Sequence, residues 1–120
     1  MLYVRTVAGK GRGVFARRLI RQGEVLEQSP VIVIAAKEWE SIERTILFNY
    51  CYGWGEEMAL ALGMGSLFNH SYQPNTLYTR KFDEQIIEYI ALCDIQPDEE
   101  ITINYNCDPN DMDPLWFAVR

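Results

Sequence analysis

Apolar positions in this chain come in short alternating or β-branched runs, separated by Gly, Pro, Asn and Asp, and that rhythm predicts strands. Residues 2–7 and 13–18 read as two strands around a Gly-rich turn at Gly9 to Gly13. Residues 20–23 form a turn in which Gly23 supplies a permissive backbone. Residues 25–28 and 31–36 follow as strands broken by Ser29-Pro30, and the run Val31-Ile32-Val33-Ile34 predicts burial on both faces. Residues 76–82 and 85–93 predict a hairpin closed at Asp83-Glu84, its second strand rich in Ile and Tyr. Pro97-Asp98 turns the chain into a last strand at 101–104. Only residues 37–49 carry helical spacing, with Trp39, Ile42, Ile46 and Leu47 on one side and Lys37, Glu40, Glu43 and Arg44 largely on the other. The pattern predicts a mainly β domain of many short strands with one helix.

The 120 residues fit one compact domain spanning 1–120, with a body at 2–105 and a polar, turn-rich tail at 106–120. A chain of this size buries roughly two thirds of its unfolded surface, enough for a core without staples. Net charge is −6, from 17 acids against 11 bases. That excludes a surface built to neutralise phosphates, so no direct nucleic-acid partner is expected. It suits a basic, lysine-containing protein or peptide, although mild acidity also serves solubility.

Cys51, Cys93 and Cys107 are odd in number and lack Cys-x-x-Cys spacing, so neither a disulfide framework nor a zinc knuckle is indicated. His70 is the only histidine, which removes multi-His metal sites and triads needing a second His; no metal is expected. Free thiols predict a reducing, cytoplasmic setting, with access to a nucleus or a host cell if the source is viral. No signal peptide is expected, and no apolar run approaches the roughly 20 residues of a membrane helix, so no membrane partner is expected.

Gly9-Lys10-Gly11-Arg12-Gly13 is not a dinucleotide fingerprint: its glycines alternate, and Val14-Phe15-Ala16 continues as strand rather than opening a helix. By itself it is a β-turn. Asn69-His70-Ser71-Tyr72-Gln73-Pro74-Asn75 is more specific. Asp98-Glu99-Glu100-Ile101-Thr102-Ile103-Asn104-Tyr105 follows near the end. In this order the three segments resemble the SET domain, the fold of S-adenosylmethionine-dependent protein lysine methyltransferases, from about Leu2 to Tyr105. The resemblance is closest to the small free-standing SET proteins of bacteria and large DNA viruses.

The resemblance implies small curved sheets around a knot-like crossing of the C-terminal segment, with one or two short helices. It implies S-adenosylmethionine as methyl donor, held by the loop Lys10, Gly11, Arg12 and Gly13, by the Asn69 side chain and His70 backbone, and by Tyr105. Trp116, or Phe117, would cover the adenine. Asn suits its place because one amide offers donors and acceptors. Taken alone, His70 would be a satisfied core histidine. Tyr105 is the implied catalytic residue, although a half-buried strand aromatic would look the same. The family pattern is met with two departures, Asp98 for Gly, which tolerates left-handed geometry, and Asn104 for Asp. Glu99 and Glu100 read as a solvated acidic turn. The substrate-lysine channel would draw on Tyr50, Tyr52 and Tyr78, with Trp54 and Phe68 as further candidates; for Tyr52, Trp54 and Phe68, filling the core is the plainer alternative. With only Cys107 near the end, a cysteine-rich zinc module is not expected.

The implied reaction explains these residues. A lysine amine titrates near ~10.4 in water, so its nucleophilic form is rare at neutral pH. A dry aromatic channel and a nearby sulfonium disfavour the ammonium, and catalysis is then mainly orientation. An aromatic face can also hold a methylated ammonium. A competing expectation is a non-catalytic SET-like module that binds a peptide or S-adenosylmethionine. A homodimer is a further expectation, since small viral SET proteins pair.

Overall fold

The computed structural model describes residues 1–9, 11–107 and 110–112. The strands are β1 (Leu2–Val7), β2 (Gly11–Ala16), β3 (Val25–Ile34), β4 (Cys51–Trp54), β5 (Glu57–Ala61), β6 (Asn69–His70), β7 (Thr76–Lys81), β8 (Ile86–Ala91) and β9 (Thr102–Ile103). β1 and β2 pair antiparallel with Val7 opposite Gly11. β2 therefore begins two residues before the expected 13. Gly9 and Gly11 adopt φ of 80° and 78°, which lets the chain reverse between β1 and β2.

The main sheet is antiparallel, ordered β4-β5-β3-β8-β7. The expected break at Ser29-Pro30 is absent, because β3 changes partner there: residues 25–30 pair with β8 and 31–34 with β5. The Pro30 carbonyl accepts from Leu62 N–H at 2.8 Å. The reciprocal donor that proline lacks is replaced by Gly65 N–H, which reaches the Leu62 carbonyl at 3.3 Å. Nor are 31–34 buried on both faces, since Ile32 is 51% exposed. The hairpin of β7 and β8 forms as predicted, with Gln85 at φ 54° in its loop.

The helix expected over 37–49 is broken into a 3-10 turn (Ala36–Glu38), an α-helix α1 of five residues (Trp39–Glu43) and a second 3-10 turn (Ile46–Tyr50). Thr45 causes the break: its hydroxyl donates to the Ile42 carbonyl at 2.7 Å and accepts from Leu47 N–H at 3.2 Å. None of these turns buries a residue.

The crossing forms where residues 98–103 are wedged between β2 and β6. Ala16 N–H donates to the Glu99 carbonyl and Ile101 N–H to the Val14 carbonyl. β9 then pairs parallel with β6, Asn69 beside Thr102 and His70 beside Ile103. Asp98 takes φ 67°, the left-handed geometry expected of it. Buried Asn75 ties the crossing together: its amide donates to the Glu100 carbonyl at 2.8 Å and accepts from Thr102 N–H at 2.9 Å. Val14, Ala16, Ile101 and Ile103 join Ile87, Tyr89 and Phe68 in one core.

Candidate functional site

The crossing brings the three sequence motifs to one place. Asn69, on β6, donates its amide to the Arg12 carbonyl at 3.1 Å and to a Glu100 carboxylate oxygen at 2.7 Å. Gly13 lies against this pair: a Cβ there would come within 2.7 Å of Glu100 Oε2 and 2.8 Å of Asn69 Nδ2. A side chain at 13 would thus have to displace the end of Asn69 or Glu100. Gly11 has open space where a Cβ would be, so its requirement is its positive φ. Lys10 and Trp116, along with Phe117, lie outside the described residues.

Glu100 was overlooked as a solvated turn. It is part-buried and hydrogen-bonded to Asn69, while Glu99 accepts from Gln96 N–H at 3.0 Å and from the Asn75 amide at 3.3 Å. Alternation sets Glu100 and Thr102 on the face opposite buried Ile101 and Ile103, and only the pairing of β9 with β6 brings that face to Asn69.

His70 is buried, and its Nδ1 accepts from Tyr105 N–H at 2.9 Å. A neutral imidazole accepting there carries its proton on Nε2. The ring is spent on holding Tyr105, whose own ring lies 5.2 Å from it. The Tyr105 hydroxyl in turn donates to the Phe68 carbonyl at 2.7 Å. Burial pushes its pKa up to about 12, with the neighbouring Tyr50 and Glu100 adding to the rise. The phenol is therefore neutral at physiological pH and unsuited to act as a strong base.

Beside Tyr105 opens a cavity of about 210 Å³. Tyr50, Tyr52 and Tyr78 all line it with Tyr105, so the four tyrosines meet at one hollow. Tyr78 donates to the Tyr105 carbonyl at 3.3 Å and packs edge-on against Tyr52, with centroids 5.1 Å apart. Tyr52 donates to the Gly65 carbonyl at 2.6 Å and accepts from the Tyr89 hydroxyl at 2.9 Å. Burial raises the pKa of Tyr52 and of Tyr78. Tyr50 is 37% exposed. Of the other aromatics, Phe68 lines the cavity while stacking on Tyr89, and Trp54 packs against Phe82 away from it. Arg80 and Ser66 line the cavity too and were missed. Arg80 was findable, since it follows Tyr78 by two residues on a strand and shares its face.

Asn104, which replaces the family's usual acid, is buried. It donates to the Asp111 carbonyl at 2.6 Å and accepts from Asn106 N–H at 3.0 Å. The first bond needs an amide donor that a carboxylate lacks. Among the described residues, no cluster of His, Cys, Asp or Glu could hold a metal ion, and no helix is long and apolar enough to cross a membrane.

Comparison with known proteins agrees with this geometry. The family model for the SET domain matches residues 11–106. A curated relative from Schizosaccharomyces pombe, "Histone-lysine N-methyltransferase, H3 lysine-37 specific", is 38% identical over 118 residues, covering 97% of this chain and 76% of the relative. A Plasmodium falciparum structure described as a candidate histone methyltransferase superposes with TM-score 0.71 at 29% identity, over 88% of this chain and 96% of that one. The ctPRC2 complex with histone H3 ligands gives TM-score 0.76 at 22% identity, over 88% of this chain and 14% of that one, a likeness of fold alone. The chain belongs to the SET-domain family and is a protein-lysine methyltransferase acting on a peptide substrate. The family typically uses S-adenosylmethionine as methyl donor.

Two expectations are corrected. The bacterial or viral affinity gives way to a eukaryotic one, since the relatives are fungal and protozoan. The cytoplasmic setting is overturned as well, because the fission-yeast relative is a histone-lysine N-methyltransferase, whose substrate is nuclear. Free thiols persist in nuclear proteins as readily as in cytosolic ones.

Proposed function

We propose that this enzyme takes the methyl group from S-adenosylmethionine, without a metal, and transfers it to a lysine of a histone tail. Histone H3 is the first substrate to try, since the fission-yeast relative is named for it. The observation that carries the reading is the cavity in which Tyr50, Tyr52 and Tyr78 surround Tyr105, its proton committed to the Phe68 carbonyl.

The residues present fit the donor. Asn69 spends its amide hydrogens on Arg12 and Glu100, which leaves its oxygen as an acceptor suited to an ammonium group. Gly13 leaves room beside it that a Cβ would fill. When bound, S-adenosylmethionine supplies a methyl group made electrophilic by its sulfonium. Everything else falls to the protein. The aromatic walls strip water from the lysine nitrogen and align it. The Tyr105 oxygen, with its hydrogen turned to Phe68, offers acceptor density for weak C–H···O contacts at the reacting centre. Tyr105 is proposed as the catalytic residue, Tyr50, Tyr52 and Tyr78 as channel walls, and Lys10, Gly11, Arg12, Gly13, Asn69, His70 and Trp116 as the donor site.

Methylation of a lysine-peptide array, read by mass spectrometry, tests the substrate. Isothermal titration with S-adenosylmethionine tests the donor site, and Gly13→Ala should weaken binding at least ~10-fold if the Cβ displaces Asn69 or Glu100. Equal labelling by wild type and Tyr105→Phe would refute the assignment of the catalytic residue.

A further inference from the structure

Of the described residues that line the tyrosine cavity, Arg80 alone carries a charged side chain. That is an unexpected place for a cation in a protein of net charge −6 meant to receive a lysine. The guanidinium is also fixed. Its Nε donates to the Gly53 carbonyl at 2.6 Å, its Nη1 to Cys107 Sγ at 3.2 Å, and its Cζ lies 5.5 Å from the Tyr78 ring centre. Among the described residues no carboxylate forms an ion pair with it.

The titratable groups that face it or share its cavity are Tyr78 on β7, Cys51 and Tyr52 on β4, Tyr50 before it, Tyr105, and Cys107 beyond β9. Burial keeps Tyr52, Tyr78 and Tyr105 in their neutral forms, so these three phenols do not offset the charge. A volume of 210 Å³ equals that of a sphere roughly 7 Å across, so a nitrogen inside sits where like charges still repel appreciably.

We propose that Arg80 selects the protonation state of the substrate: its guanidinium disfavours the ammonium of an entering lysine and favours the neutral, nucleophilic amine. The proton leaves to water at the cavity mouth, since a guanidinium accepts none. Overall acidity draws the basic peptide in, while the cation on the cavity wall acts on the reacting nitrogen. This role rests on the reading of the cavity as a lysine channel.

The test compares wild type with Arg80→Met, Arg80→Gln and Arg80→Lys, each checked for a native melting transition. Arg80→Gln retains a donor for Gly53, which keeps the test open if Arg80→Met unfolds. Titration at pH 7 uses one peptide with lysine and one with norleucine, which lacks the nitrogen, and needs no turnover. Wild type should prefer norleucine. The preference should fall roughly 10-fold in Arg80→Met and Arg80→Gln, which corresponds to one unit of lysine pKa, and survive in Arg80→Lys. The apparent pKa on kcat should rise by roughly 1 unit in the neutral variants and not in Arg80→Lys. Unchanged preference and pH profile in the neutral variants, with wild type active, would overturn the role of Arg80 alone. A wild type that methylates no lysine peptide and binds neither one would overturn the channel reading and this role with it.

Discussion

Two regions of this molecule are rich in aromatic and aliphatic side chains, and the fold treats them in opposite ways. Around the crossing, Phe68, Tyr78, Tyr89 and Ile103 are all but fully buried, and each hydroxyl there has a hydrogen-bond partner. Over residues 36–50, Trp39, Ile46, Leu47 and Phe48 stay exposed although they are no less apolar. The difference lies in who supplies the partner. Strands near the crossing are covered by segments distant in sequence, such as β9 against β6, whereas 36–50 is linked mainly to itself. Hydrophobicity needs a second surface before it stabilises anything.

The sharpest way to break the comparison is at Tyr105. Tyr105→Phe keeps the ring against His70 and loses the hydroxyl bond to Phe68. Methyl transfer should fall ~100-fold or more while the melting temperature moves little, as expected for a group that acts at the reacting centre. A large loss of stability instead would make Tyr105 a core residue. Asn75→Ala should do the reverse. It orphans Thr102 N–H and the Glu100 carbonyl at the crossing, so urea unfolding should show a loss of about 2–3 kcal/mol.

Alkaline pH probes the same region through titration. Tyr105 has a pKa of about 12 when folded against 10.0 in the free residue, raised first by burial. The folded state thus holds a proton that the unfolded chain releases between these values, so stability is full below pH 10 and falls toward pH 12. Tyr52, Tyr78 and Tyr89 are shifted in the same direction by burial. For Tyr105 alone the loss should be about 1–2 kcal/mol, and Tyr105→Phe should flatten the decline by that amount in melts at pH 9 to 12.

Local rules made much of this legible in the sequence. The hairpins, the left-handed Asp98 and the order of the three motifs follow from turn chemistry and residue type, and so does the mainly β fold. The four tyrosines were nameable from their positions in a resembling pattern, and they meet at one cavity. What escaped depends on pairing at a distance. The continuity of β3 through Pro30 requires knowing that its partner changes there. Glu100 looks like a solvated acid until Asn69 is placed beside it, whereas Arg80 could have been placed by alternation from Tyr78.

The exposed side of the comparison yields the smallest effect. Helical spacing over 37–49 predicts that Ile46 anchors an amphipathic face, in which case removing its side chain would create a cavity costing about 2–5 kcal/mol. The structure assigns it the opposite fate: Ile46 begins a 3-10 turn capped by Thr45 and is 69% exposed. A residue already in water has little burial to lose, so Ile46→Ser should change stability by less than about 0.5 kcal/mol. Thr45→Ala, which removes the hydroxyl that accepts from Leu47 N–H, should cost more than Ile46→Ser, about 1 kcal/mol. Chemical denaturation of the two variants decides between the pictures. If Ile46→Ser proved the more damaging, residues 36–50 would have to pack as the continuous helix that their spacing suggests.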